Sequence, residues 1–157
     1  MNFVWEDYDY NKHMIIDEWL NDDNVKKYAT FDDISFNDEW SYYVNSKEYI
    51  VNKNAFCKVI YDVEECIAVV ILLYYQGRLS INPIIVNPKC QNKGYGARII
   101  KELITNIKTL LPCDIKEIYA GIDVNNVACI KMFQKCGFVL ESVHPDGDFL
   151  NYIYTIN

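Results

Sequence analysis

The segment Gln91-Asn92-Lys93-Gly94-Tyr95-Gly96-Ala97 has residue types and a spacing, Q-x-x-G-x-G-A, that build a backbone site for an anion, and the apolar run Ile84-Ile85-Val86 precedes it. The first amides of a helix have no intrahelical acceptor and lie at the positive end of the helix dipole, so a turn that opens a helix aims them at negative charge. Gly94 and Gly96 carry no Cβ, which lets a phosphate come close to the main chain. A purely structural strand-to-helix turn would use the same two glycines. The segment lacks the Lys-Ser/Thr ending of a nucleotide P-loop and the spacing of a dinucleotide fingerprint.

The elements that hold this turn are legible from periodicity. Ile99, Ile100, Leu103, Ile104, Ile107, Leu110 and Leu111 recur at spacings of three and four, and Pro112 ends the helix they mark. Cys129, Met132, Phe133 and Cys136 make an i, i+3, i+4, i+7 stripe, with Asn126 suited to the cap and Gly137 to a left-handed stop. Strands are expected over residues 55–61, 66–76 and 79–86, with turns at 62–65 and at Gly77, then over 115–122, 138–143 and 149–156. Pro83 inside the third of these would normally argue against a central strand. At the front, the pattern predicts a strand over 3–5 and a helix over 12–20 with Met14, Ile15, Ile16, Trp19 and Leu20 inward. A polar loop at 21–24, a short turn at 25–28 and a helix over 37–43 follow. There is no linker, repeat or low-complexity segment.

In order and content, two segments resemble motifs of the GNAT superfamily of N-acetyltransferases. One is that family's acetyl-CoA loop, Gln/Arg-x-x-Gly-x-Gly/Ala after a strand ending in Val-x-Pro, here Val86-Asn87-Pro88. The other is an Asn followed by a short helix that carries an aromatic and closes with Lys-x-Gly-Phe, here Asn126 and Lys135-Cys136-Gly137-Phe138. The resemblance implies a single α/β (α+β) domain over residues 1–157, with a central mixed, mostly antiparallel twisted sheet of about seven strands flanked by about four helices. It also implies acetyl-CoA as co-substrate, held by the main chain of Ile84, Ile85 and Val86, by the loop of residues 91–97, and by Asn126 and Phe133. Phe133 is a departure: many members have Tyr there to protonate the departing sulfur, and Phe has no proton to give.

The implied activity is acetyl transfer to a primary amine by direct attack in a ternary complex. Alternatives are a protein N-terminal or lysine acetyltransferase and a non-catalytic acyl-CoA-binding domain. A lysine-like amine of pKa about 10.4 costs about 4.6 kcal/mol to deprotonate at neutral pH, whereas a thiol of pKa about 8.5 leaves more readily. The base therefore matters more than the missing Tyr. No carboxylate lies on the strand over 79–86, where family members often place a Glu; Ser80 and Asn82 stand there. Asp123 is the first candidate base, its other reading being a helix-start carboxylate beside Asn126. The carboxylates within residues 21–33 come next.

Charge is uneven. Residues 1–50 hold 12 Asp and Glu against 4 Lys and Arg, net −8, and residues 51–157 hold 10 against 11, net +1. In the family the front borders the acceptor, so an acceptor site tuned for cations is one reading and a solvated acidic surface the other. Lys89, Lys93, Arg98, Lys101, Lys131 and Lys135 fall on the half that would grip CoA. The segment of residues 17–25 is similar to the Trp-Leu-x-Asp-x-x-Val stretch of aminoglycoside and ribosomal-protein N-terminal acetyltransferases. Six cysteines show no C-x-x-C spacing, and His13 and His144 stand alone, so reduced packing thiols and no metal are expected. The longest apolar run, Cys66 to Tyr75, is too short for a bilayer, and the first residues carry no signal pattern. A cytoplasmic protein, monomer or homodimer, without nucleic-acid or membrane partners, is the expectation.

Overall fold

Branched apolar runs set the architecture. The computed structural model describes residues 2–28, 35–45 and 54–157. Among these, seven strands form one sheet in the order β1-β2-β3-β4-β5-β7-β6. They are β1 Val4–Asp7, β2 Ala55–Asp62, β3 Glu65–Tyr75, β4 Arg78–Val86, β5 Glu117–Asp123, β6 Val139–Val143 and β7 Phe149–Thr155. Five helices accompany them: α1 Ile15–Trp19, α2 Asp23–Tyr28, α3 Phe36–Asn45, α4 Tyr95–Leu110 and α5 Val127–Lys135. Neighbouring strands are antiparallel except β4 and β5, which run parallel.

Strand β3 is buried on both faces, which is why it reads as a continuous apolar run rather than an alternating one. On one face Ala68, Val70 and Leu72 pack with Leu79, Ile118 and the α4 stripe of Ile99, Ile100, Leu103 and Ile107. On the other, Val69, Ile71 and Leu73 pack with Ile16 and Trp19 of α1, Val25 of α2 and Phe36 of α3.

The feature that positions the site is a divergence of β4 from β5. Their ladder runs from Arg78↔Glu117 to Ile81↔Ala120 and stops there, although both strands continue. The β3–β4 register shifts at the same place, with Leu72 opposite Ile81 but Val70 opposite Ile84. A bulge bends its strand. Here it takes up Asn82 and Pro83, where a missing N–H is harmless, and coincides with the point at which β4 leaves β5.

Two expectations about the front are corrected. Helix α1 is a single turn that buries only Ile16 and Trp19, while Met14 and Ile15 are 54% and 45% exposed. One turn has one inward face, and the i, i+3 pair occupies it. The turn expected over 25–28 is helix α2, because Asp22 Oδ1 accepts the amides of Asn24 and Val25 and so caps a helix. That makes five helices where about four were anticipated.

Candidate active site

Where β4 and β5 part, a cleft of about 710 Å³ opens. Ile84, Ile85, Val86, Gln91, Asn92, Gly94, Tyr95, Gly96, Ala97, Asp123, Asn126 and Phe133 all line it. Lys93, the remaining residue expected at the site, is exposed beside it.

The cleft floor is built by local turn chemistry. Asn87 Oδ1 accepts the Lys89 amide at 3.0 Å and its Nδ2 donates to the Cys66 carbonyl at 3.1 Å, which fixes the short 3₁₀ turn Pro88–Cys90. Gln91 then reaches back, Nε2 donating to the Val86 carbonyl at 3.2 Å. Gly94 caps α4 at φ 80°, and a Cβ added to it would meet nothing within 4 Å. The Arg98 amide donates to the Gly94 carbonyl, so the amides of Tyr95, Gly96 and Ala97 come before the first turn of helix bonding and have no acceptor within it. A Cβ on Gly96 would stand 2.5 Å from Met132 Sδ, so the start of α4 rests on the Met132 side chain of α5, which a larger residue would have to displace.

The β4 wall presents main chain. Successive amides of a strand point to opposite edges. Because the Asn87 amide donates to Ile67 of β3, those of Val86 and Ile84 point to the edge that β5 has left.

Across the cleft, Asn126 caps α5 by accepting the Cys129 amide at 3.3 Å. Asp123 Oδ1 accepts the Asn125 amide at 2.8 Å, so this carboxylate does serve the turn before the helix. Phe133 is buried, its ring edge-on to Phe138 with centroids 4.9 Å apart. Cys129 also borders the cleft, but burial pushes its thiol up to about 11, which leaves it protonated at neutral pH and unsuited to forming an acetyl-enzyme.

Several lining residues were not among the site residues expected from the sequence. Asn24, Val25 and Tyr28 of α2 border the cleft, and the Tyr28 hydroxyl donates to the Asn125 carbonyl at 3.1 Å, tying α2 to the turn that follows Asp123. A second cavity of about 420 Å³ shares Ile81 and Gly121 with the cleft and is lined by Leu73, Tyr74, Tyr75, Ser80, Asn82 and Tyr119. Leu73 belongs to the core on the α1–α3 side, so the cavity opens on that face. The Tyr119 hydroxyl donates to Asn151 Oδ1 at 2.5 Å, and burial raises its pKa. The Arg78 guanidinium lies 5.0 Å from the Tyr119 ring, between Glu117 at 2.5 Å and Glu141 at 3.3 Å. The alternation that puts Tyr119, Gly121 and Asp123 on one face of β5 was the one available clue.

The acidic front is partly spent on structure. Glu6 pairs with Lys12 and His13, Asp7 with Lys58, and Asp17 accepts the Phe36 amide. Asp22 caps α2 and Asp23 sits exposed in its first turn, while Asp32 and Asp33 lie outside the described residues. On the other half, Lys131 and Lys135 line the cleft, whereas Arg98 is stacked over Phe3 and Tyr95 at 4.6 and 5.3 Å. Among the described residues, no group of three or more His, Cys, Asp or Glu is placed to hold a metal, and no helix is long and apolar enough to cross a membrane.

Helix-start amides face a gap between two parallel strands, an arrangement that suits a phosphate-bearing ligand. Residues 13–138 match the acetyltransferase (GNAT) family, and the chain belongs to that family. It is 29% identical over 140 residues to the uncharacterized N-acetyltransferase YfmK of Bacillus subtilis, covering 88% of this chain and 87% of that protein. A shorter stretch of 62 residues, 40% of each chain, is 34% identical to the spermine/spermidine N(1)-acetyltransferase of Bacillus subtilis. Among solved structures, the spermidine N-acetyltransferase from Vibrio cholerae in complex with CoA and spermine superposes with a TM-score of 0.77 at 20% identity, over 98% of this chain and 95% of that one. An aminoglycoside acetyltransferase in complex with coenzyme A and kanamycin gives a TM-score of 0.75 at 15% identity, over 98% and 95%. The protein is thus an N-acetyltransferase with acetyl-CoA as its co-substrate.

Proposed function

We propose that the protein moves the acetyl group of acetyl-CoA to a primary amine of a small cationic molecule, by direct attack while both substrates are bound. The observation that carries this reading is the junction of two cavities at Ile81 and Gly121. Acetyl-CoA enters the larger one, its pyrophosphate on the amides of residues 95–97 and its pantetheine arm along Ile84 and Val86, and the amine arrives from the smaller. A volume of about 420 Å³ suits a small-molecule ligand. Arg78 faces two carboxylates, Glu117 and Glu141, so the rim beside Tyr119 carries surplus negative charge that favours a cation. Spermine and kanamycin, the amines in the two structural relatives, are of that class.

In the proposed step the amine nitrogen forms the new bond to the acetyl carbon and the carbon–sulfur bond breaks. Asp123 takes the proton that the nitrogen loses, through the oxygen not committed to Asn125, and CoA departs as thiolate to be protonated by solvent, since Phe133 offers no proton. Holding the two substrates in line supplies several kcal/mol without any further side chain. The test is release of CoA thiol from acetyl-CoA against a panel of polyamines, aminoglycosides, neutral amines, amino acids and peptide N-termini. Turnover of the polycations is expected. Preference for peptides would move the reading to a protein acetyltransferase, and no turnover with any amine would reduce the chain to an acyl-CoA-binding domain.

A further inference from the structure

We infer that Lys131 and Lys135 of α5 form a subsite for the ribose 3′-phosphate of CoA, and that the protein therefore distinguishes CoA from its 3′-dephospho form. This rests on the reading that the pyrophosphate lies on the first amides of α4.

Two contacts fix the position of these lysines. Gly96 rests against Met132, and the Cys136 thiol lies 3.6 Å from the Ala97 carbonyl, so α5 touches the first turn of α4 immediately beside Lys131 and beside Lys135. The two residues are i and i+4 on one face of α5, both are exposed, and both border the cleft. Neither has a carboxylate partner among the described residues. The one arginine near the loop, Arg98, is drawn away onto the rings of Phe3 and Tyr95. Glu102, the nearest acid along α4, is occupied by the Phe3 amide and the Trp5 indole.

The chemistry of the ligand completes the argument. CoA carries a pyrophosphate and, separately, a phosphate dianion on the ribose. The α4 amides can neutralise the first but are too few for both, whereas two unpaired ammonium groups at the rim suit a dianion as point charges.

Binding of CoA and of 3′-dephospho-CoA is measured by calorimetry at low ionic strength, on the wild-type protein and on Lys131→Gln/Lys135→Gln. An exposed charge pair contributes up to about 1 kcal/mol, so the wild-type protein should bind CoA up to about fivefold tighter than 3′-dephospho-CoA. The double variant should bind the two ligands within about twofold of each other, with its affinity for 3′-dephospho-CoA unchanged. Equal losses for both ligands would assign the lysines to the pyrophosphate, and equal wild-type affinities would leave no 3′-phosphate subsite; either overturns the inference while keeping acetyl-CoA in the cleft. Failure of the wild-type protein to bind either ligand would remove the cleft assignment as well.

Discussion

Gly94 and Gly96 stand two residues apart and serve different ends. Gly94 has a left-handed backbone and open space where a Cβ would go, so its requirement is conformational and it borders the cleft. Gly96 has ordinary helical geometry and a sulfur atom where a Cβ would go, so its requirement is packing. Gly94→Asn keeps the left-handed conformation that Asn tolerates while adding bulk at the cleft, and should lower acetyl-CoA affinity at least tenfold in calorimetry with a melting temperature near wild type. Gly96→Ala should instead change stability by no more than about 1 kcal/mol in denaturant unfolding, because the Met132 sulfur lies towards the end of a flexible side chain that can move aside. The spacing of the glycines was legible in the sequence. The division of labour was not, because the partner of Gly96 sits on another helix and only the folded chain brings it near. The same limit applies to Asp123, whose place at the end of β5 could be read but whose bond to Asn125 could not. Asp123→Asn retains that bond and removes the proposed proton acceptor, so kcat should fall about 10²-fold with little change in KM for acetyl-CoA. Phe133→Tyr should leave kcat within about threefold, since a thiol of pKa about 8.5 departs without help. A larger gain from Phe133→Tyr than loss from Asp123→Asn, in steady-state kinetics at neutral pH, would reverse the ranking of the two proton transfers.

Elements whose pattern is set by burial were the readable ones. Strand β3, the α4 stripe and the α5 stripe were each marked by residues that face one core, and the observed bounds agree to within a few residues. The front of the chain was harder, because α1 and α2 are held less by a stripe than by single polar contacts. His13 illustrates this: it is almost fully buried, yet nothing around it in sequence announces a role. Its Nδ1 accepts the Asp9 amide at 2.9 Å, so the ring proton sits on Nε2 and goes to Glu6 Oε1 at 2.7 Å, pinning the loop before α1 to β1. Glu6 also receives Lys12, whose hydrogen bond is the main reason its carboxyl is held below the ordinary 4.5, against an opposing effect of burial and with further help from His13. A carboxyl with a depressed folded-state pKa binds fewer protons when folded than when unfolded. Its contribution is therefore complete above its ordinary range and disappears as pH falls through the folded value. Glu6→Gln keeps an acceptor for His13 and Lys12 but removes the charge. The difference in melting temperature between wild type and this variant should be present at about pH 6 and shrink as pH falls below the ordinary carboxyl range. A difference that stays constant across that range would show that the corner is held by hydrogen bonding alone.

At the scale of the whole molecule, charge is divided unevenly along the chain. The first 50 residues carry net −8 and the remainder net +1, while the helix-start amides of α4 and the lysines of α5 border the cleft. Such a division lets one chain attract a polyanion to one end of a cleft and a cation to the other, at distances where neither touches a side chain. Ion pairing and capping consume Glu6, Asp7, Asp17 and Asp22 locally, but a carboxylate that caps a helix keeps its charge and still contributes to the field. Asp22 and Asp23 are the informative pair. They open α2, whose Asn24, Val25 and Tyr28 border the cleft, and Asn is as good a cap as Asp, so Asp22→Asn/Asp23→Asn removes two charges without removing the helix start. If the field guides a cationic acceptor, the double variant should raise KM for a polyamine or an aminoglycoside about two- to fivefold at low salt, with kcat and the KM for acetyl-CoA little changed. The effect should fade as ionic strength approaches 1 M, where the screening length falls to about 3 Å. An equal rise in both KM values, or one that persists in high salt, would mean that the two carboxylates act through the shape of α2, and the acidic front would then be a solvated surface with no part in choosing the amine.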